Sequence, residues 1–391
     1  MDKLHLMKGH KAFTSIIFFT LIITSASGQM KDKLQVGGYF KLMQITSFGD
    51  DIENTQWDYL FHNRVNMKYK FNPKFKAALE FRNRIFFGEA VSNNDDYGEI
   101  VDVDNGAVDL SWLFIDADDV VGLIQIDRAW MEYRSDHWMV MAGRQRVNWG
   151  INLFWNNHDL FNTYSLVEFD YEERPGSDAI RVTRILGDEH WIEAAVKYPD
   201  SDSTGVAALR YAFNMGRYDM KLIGGWYEND LVGGIGWEGN IKDAGFKGEA
   251  AYFHPRKNEN EGVLSISISG DYYFSNQVFV TAGYLFQDAQ STVENSDLII
   301  ARFSRGLSAK NLMPFDHNFI FNVTYPLSPI LNGSLMATWS PGFDASFLMG
   351  SLMYSLADNW EIGAFGQAFV YNDNSWNNPV NSIYLRVKNS F

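Results

Sequence analysis

Hydrophobic and polar residues alternate with a period of two over much of this chain, most cleanly in an early pair of segments. Across 57–71 the odd positions Trp57, Tyr59, Phe61, Val65, Met67, Tyr69 and Phe71 are apolar, and His62, Arg64, Asn66, Lys68 and Lys70 fall between them. Asn72, Pro73 and Lys74 supply turn chemistry. The pattern then returns over 75–87, with Phe75, Ala77, Leu79, Phe81, Ile85 and Phe87 set against Lys76, Glu80, Arg82 and Arg84. Successive side chains of a strand point to opposite faces, so these segments predict a hairpin with one oily face and one wet face.

The same signature recurs to the end of the chain. It predicts strands over 34–48, 57–71, 75–87, 124–134, 138–147, 178–186, 190–198, 205–213, 217–227, 231–241, 245–253, 262–274, 278–286, 317–325 and 330–340, and three more between 344 and 391. Short turns alternate with longer connections, and the long ones near 90–122, 148–176 and 288–316 all fall on one side. The fold class expected is all-β: a transmembrane antiparallel up-and-down β-barrel of 18 strands, or 16 if two glycine-rich segments such as 231–241 are not strands. An even strand count with both termini on the inner side is what a single-chain bacterial barrel requires.

Composition sharpens this expectation. Aromatic residues make up 16 %, with 30 Phe, 19 Tyr and 12 Trp, yet the mean hydropathy is −0.22. Lipid-facing residues alternating with polar inward ones, plus aromatic girdles at both interfaces, give that combination. At the amino terminus Lys3, Lys8 and Lys11 precede an apolar run over 13–23, and small Ala26 and Gly28 stand before a cut ahead of Gln29. Residues 1–28 therefore read as a secretory signal peptide, the run being short of the ~20 residues that span a bilayer, and 29–391 as the barrel. The chain has no Cys, so packing and a closed hydrogen-bond network must hold it. Removing 1–28 leaves 30 basic against 47 acidic residues, a net charge of about −17, which argues against nucleic acid as a partner.

Two stretches carry a resemblance to known families. The last strands end on Ile383-Tyr384-Leu385-Arg386-Val387-Lys388-Asn389-Ser390-Phe391, alternating and terminating in Phe, which resembles the closing hairpins of outer-membrane β-barrels. The run Gly143-Arg144-Gln145-Arg146-Val147-Asn148-Trp149-Gly150, continuing to Asn156-Asn157-His158-Asp159, resembles the alginate-export and related porin-like outer-membrane families. That resemblance implies an 18-stranded barrel with an arginine-rich pore, and places Arg144 and Arg146 toward the pore. A purely architectural role, with Gly143 and Gly150 shaping the strand end and Trp149 at the membrane interface, is the alternative.

An 18-stranded barrel is wide enough for an aqueous channel. The alternation directs Arg64, Lys68, Arg82, Arg84, Arg128, Arg134, Arg144, Arg146, Arg181 and Arg210 inward, with Lys70 and Lys76 beside them and Glu80, Glu132 and Glu193 as partners for a share of them. A low-dielectric wall carrying guanidinium groups focuses positive potential. The expected function is a porin-like channel in the Gram-negative outer membrane, passing small hydrophilic solutes, anions or sugar acids in particular. Expected partners are outer-membrane lipid and the solutes; a homo-oligomer is left open and no cofactor is implied. The rival classes are a non-transporting structural or adhesion barrel and an outer-membrane hydrolase, although no histidine lies in a nucleophile-elbow or HExxH context. A 22-stranded plugged transporter needs a longer chain. The acidic stretch 90–122, with Asp95, Asp96, Glu99, Asp102, Asp104 and Asp109, reads as a solvated external loop that can fold into the pore. Its spacing lacks the Asp-x-Asp-x-Asp-Gly pattern of a Ca²⁺ site. The oily part of 288–316, around Leu298 to Ile300 with Arg302 and Arg305, reads as a constriction folding inward.

Overall fold

The structure is a computed structural model and describes residues 33–49, 52–104, 106–163, 173, 176–199, 205–256, 261–288, 307–342, 344–372 and 375–391. The expected signal peptide, Asp170 and Glu172 of the second long connection, and 289–306 of the third lie outside these residues.

Nineteen strands are described: β1 Leu34–Phe48, β2 Gln56–Asn72, β3 Phe75–Gly88, β4 Ser111–Ala117, β5 Val120–Arg134, β6 Trp138–Gln145, β7 Ser177–Ile185, β8 Trp191–Lys197, β9 Val206–Met215, β10 Tyr218–Tyr227, β11 Asp230–Ile241, β12 Ala244–Pro255, β13 Val263–Tyr273, β14 Phe279–Gln287, β15 His317–Ser328, β16 Leu331–Ser340, β17 Ala345–Ala357, β18 Trp360–Asn372 and β19 Trp376–Ser390. Eighteen of them pair antiparallel in sequence order, and β1 pairs with both β2 and β19, which closes the cylinder. Closure leaves none of these eighteen strands at a sheet edge, so the wall's ladder hydrogen bonds are made within the barrel.

The remaining strand, β4, corrects the expectation of an irregular acidic loop over 90–122. The segment folds as two short helices, α1 Glu89–Ser92 and α2 Tyr97–Val101, followed by a β4–β5 hairpin that turns at Asp118 and Asp119. Its strand core is Trp112-Leu113-Phe114-Ile115, an apolar run embedded among acids. β4 pairs with the upper half of β5, on the edge left open because β6 stops at Gln145. β5 accordingly starts at Val120, four residues before the expected strand.

Period-two alternation places the two faces as expected. Trp57, Phe71, Leu79, Met131, Ile180, Leu335, Leu352, Ile383 and Leu385 are exposed on the outer face, while Lys41, Arg64, Glu249, Ser265 and Asn318 are buried on the inner one. Among the described residues no helix is long and apolar enough to cross a membrane; a barrel crosses with strands.

Part of the interior is packed. The segment 146–163 and the described end of the third long connection, 307–316, both lie against the inner wall. Val147, Trp149, Leu160 and Phe161 pack with Ala195, Ala208, Ile223, Val232, Ala251 and Phe253 of β8 to β12. Trp155, Leu312 and Met313 pack with Leu285, Ile320, Met336 and Phe347 of β14 to β17. Inward folding was expected of the third connection and not of the second.

Candidate functional site

The inner faces of β2, β3 and β5 carry the densest charge. At Glu80/Phe81 the pairing of β3 with β5 shifts by one residue, and this bulge leaves Asp127 unopposed in the ladder. Its carboxylate turns to the neighbouring cations: Arg64 Nη1 lies 2.5 Å from Asp127 Oδ2, and Arg82 Nε lies 3.2 Å from Oδ1. Arg64 Nη2 also reaches Glu80 Oε2 at 3.0 Å, and its Nε donates to Asn66 Oδ1 at 2.8 Å. Arg82 adds Gln125 Oε1, at 2.6 Å from Nη2. Bulges re-aim side chains in this way at functional and structural junctions. Arg128 donates to the Asp127 carbonyl at 2.9 Å and has Glu173 at 3.9 Å, while Arg84 lies over the Phe86 ring at 5.4 Å. Toward the short turns the groups become solvent-accessible. Lys68 is 3.8 Å from Glu80, and Lys76 and Arg134 each lie 3.4 Å from Glu132.

Arg144 departs from the expectation. It shares the parity of exposed Ala142, and its strand partner Asp178 shares that of Ile180, which is 58 % exposed. The guanidinium is enclosed by the acidic segment: Nη1 meets Asp104 at 2.5 Å, Nε meets Asp178 at 2.9 Å, and Nη2 donates to the Val108 carbonyl at 2.5 Å. Arg144 therefore ties the acidic segment to the wall. Asp104 also accepts the N–H groups of Gly106 and Leu110, and the Asp109 carboxyl is held below its usual range by the N–H and then the hydroxyl of Ser111. These carboxylates serve their own backbone. Among the described residues no group of three or more His, Asp or Glu stands close enough to hold a metal ion. Arg146 is exposed just beyond β6.

Arg181 is half-buried on β7 opposite Met141, its Nη2 3.6 Å from that sulfur. Arg210 on β9 lies behind the segment 146–163, 3.2 Å from Glu193 and with its guanidinium 5.4 Å from the centre of the Trp149 ring. Glu80, Glu132 and Glu193, the partners expected from sequence, each meet a basic side chain, and Asp127, Glu173, Asp104 and Asp178 join them as partners the alternation did not signal.

The segment 146–163 is seated by polar contacts that the alternation did not signal. Glu249 of β12 is fully buried, and its carboxylate accepts the backbone N–H of Ile151 and, at 3.1 Å, that of His158. Asp159 Oδ1 accepts the N–H groups of Trp149 at 2.8 Å and Gly150 at 2.6 Å. Asn152 and Asn157 donate to the Ser267 hydroxyl at 2.6 Å and the Ser265 carbonyl at 2.9 Å, and the Ser269 hydroxyl donates back to Asn152 at 2.6 Å. Lys221 donates to the Trp149 carbonyl at 3.3 Å and the Trp149 indole to Glu193 at 2.6 Å. The motif that resembled porin-like families is thus the anchor of an inner segment, and Trp149 is buried inside the barrel, away from the membrane interface. In parallel, Lys310 reaches Asp230 at 2.7 Å and holds 307–316 against β11.

The inner faces of β15 to β18 are nearly neutral, with Asn322, Thr324 and Ser334 linked to one another and Tyr384 of β19 donating to Gln367 at 3.0 Å. The inner wall is therefore two-sided, cationic along β1 to β5 and hydroxyl- and amide-bearing along β15 to β18.

No protein-family model matches the chain, and no curated protein does. Solved structures do. The Acinetobacter baumannii OccAB3 structure superposes with a TM-score of 0.57 at 12 % identity, covering 91 % of this chain and 99 % of that one. Pseudomonas aeruginosa OccK1 (OpdK) superposes with a TM-score of 0.56 at 10 % identity, covering 91 % and 98 %. The OpdK structure with vanillate gives 0.55 at 10 % identity, again over 91 % and 98 %. At such identities the likeness is one of fold, that of outer-membrane porin barrels.

Proposed function

We propose that this chain forms a channel across the Gram-negative outer membrane for passive diffusion of small hydrophilic solutes, with a preference for anions, sugar acids among them. The observation that carries the reading is the charge count on the inward row of β1, β2, β3 and β5. Lys41, Arg64, Lys68, Lys70, Lys76, Arg82, Arg84, Arg128 and Arg134 stand against Asp58, Glu80, Asp127 and Glu132. Ion pairing neutralises part of that row and leaves a surplus of positive charge beside a low-dielectric wall, a setting that concentrates small anions. Arg64, Lys68, Arg82, Arg84, Arg128, Arg134 and Arg181 are the residues assigned to the solute pathway, with Arg146 at its outer end. Arg144 and Arg210 hold segments in place. Among the structural neighbours, the one determined with vanillate supports a small-solute pathway. The finer likeness to alginate exporters rests on residues 143–159 alone.

Liposome swelling with purified protein across neutral, cationic and anionic solutes of matched size tests this. Anions enter fastest on this reading. A barrel that admits none of the three is a structural or adhesion barrel.

A further inference from the structure

The lipid-facing wall is hollowed along β15 to β19. In the cross-strand row Val323, Leu335, Gly350, Gly366 and Ile383, the two positions after Leu335 carry no side chain. A Cβ added at Gly366 would meet nothing within 4 Å, and Leu335, 71 % exposed, leans over Gly350. Leu348 and Leu352 stand on either side of Gly350 along β17, and Ala364 and Ala368 on either side of Gly366 along β18. The result is a trough in two connected parts of about 590 and 640 Å³, within the size range of ligand clefts. Its lower part reaches Tyr325 and Leu327, near the short turn between β15 and β16, and its upper part reaches Asn381 and Phe48, at the outer end of β1. Polar groups stand at that upper end. Asn381 pairs with Phe48, Thr46 with Ile383 and Gln44 with Leu385, and the exposed Ile383 and Leu385 mark this as the outward face. Gln44 Nε2 meets Thr46 Oγ1 at 3.5 Å, the outer limit of a hydrogen bond. Asn381 Oδ1 accepts from Asn378 at 3.0 Å, so the Asn381 carbonyl is used within the wall and its amide hydrogens are left to donate. Amide groups beside hydrocarbon are costly unless an acceptor reaches them.

We propose that this trough binds one acyl chain of an outer-leaflet lipid, whose linkage carbonyl or chain hydroxyl accepts hydrogen bonds from Gln44 and Asn381. The outer face of a membrane barrel already abuts lipid, so the occupant is continuous with what surrounds the trough. A second barrel would offer a convex wall, which does not reach a floor set below Leu335, Leu348 and Leu352; a chain of methylene groups does. The lipid is thus held along its length by the glycine floor and at its polar end by amide donors. The site lies on the opposite side of the wall from the bore and holds whether or not the bore conducts.

The test extracts the barrel in mild detergent, measures retained lipid by native mass spectrometry, and then measures rebinding of lipopolysaccharide and of phosphatidylethanolamine. Wild type should retain one lipid per chain and rebind lipopolysaccharide in preference. Gly366→Leu, which fills the trough, should abolish retention. Gly233→Leu, at an equally open glycine between exposed Leu231 and Ile235 on β11, should leave it unchanged. Gln44→Leu makes the wall oilier but removes a donor, and should weaken rebinding roughly ten-fold, the equivalent of one hydrogen bond. It carries the test should Gly366→Leu fail to fold. A wild-type barrel that retains no lipid, or equal retention by wild type, Gly366→Leu and Gln44→Leu, overturns the site, as does phosphatidylethanolamine binding as tightly as lipopolysaccharide. A wild-type dimer that Gly366→Leu dissociates gives the trough to a second copy of the chain and overturns the lipid assignment.

Discussion

Phe391, just past β19, exchanges two backbone hydrogen bonds with Gly38: its N–H reaches the Gly38 carbonyl at 2.9 Å and its carbonyl takes the Gly38 N–H at 3.0 Å. The register of β19 on β1 is thereby carried one residue further at the seam that closes the cylinder. Gly38 is required by crowding, since a Cβ there would strike the Arg64 carbonyl oxygen and stand 2.9 Å from Phe391 Cζ. Gly38→Val should therefore cost about 1–3 kcal/mol and reduce the fraction of heat-modifiable folded barrel on gels, as should deletion of Phe391. Full folding of both variants would show that the seam tolerates looser closure.

Asp127 is the shared anion of Arg64 and Arg82, whose side chains are 2 % and 13 % exposed. Removing one partner of a buried pair strands the other charge, at a cost of about 3–5 kcal/mol. Asp127→Ala should lower the urea midpoint of the barrel in detergent and raise anion selectivity, because Arg64 and Arg82 both lose the Asp127 carboxylate and Arg64 is left with Glu80. Asp127→Asn, which keeps the shape, should lose less stability and shift selectivity the same way.

His158 gives the docked inner segment a pH dependence. It is fully buried, and its Nε2–H donates to the Ala250 carbonyl at 3.2 Å. Burial first, then the positive charges of Lys221 and Arg210, lower its pKa to about 4 against the upward pull of that hydrogen bond. Glu249 and Asp159 face the same segment and already hold backbone N–H groups. Undocked, the imidazole returns to its ordinary value near 6.5 and binds the proton more readily. Docking is then fully favoured above about 6.5 and loses that contribution as the pH falls toward about 4. Bilayer recordings should show steady conductance at neutral pH and more frequent transitions on acidification, and His158→Gln should flatten the response. A wild-type trace indifferent to pH would contradict this.

Lys68, Lys70 and Lys76 are the accessible part of the cationic row near the short turns. Being solvated, they contribute little to stability. Lys68→Glu, Lys70→Glu and Lys76→Glu combined should leave folding and unfolding midpoints nearly unchanged and move the reversal potential toward cations. A large loss of folded yield without a change in selectivity would place these lysines among the wall's structural groups.

The barrel was legible in the sequence because period-two alternation is local: Trp57 to Phe71 declares its two faces without reference to any other strand. The expected count of eighteen is the count of the closed cylinder. Arg64 and Glu80 were legible for the same reason, lying on inward positions of adjacent strands. What alternation does not encode is displacement from the regular ladder. Asp127 acquires its role through a bulge, Arg144 through a strand end where the acidic segment closes over it, and β4 was hidden because its short apolar run sits among aspartates. Glu249 is separated from Ile151 by 98 residues, and nothing within β12 announces a partner so distant. The available signal was compositional: three serines on β13 and glycines on β11 at inward positions where other strands carry larger side chains.

The most direct test of the central claim is the reversal potential of the purified wild-type protein in a planar bilayer under a salt gradient. The cationic inner row predicts single channels whose reversal potential lies on the anion-selective side and moves toward zero as ionic strength screens the wall. A cation-selective reversal potential, or a folded barrel that passes no current, would contradict it.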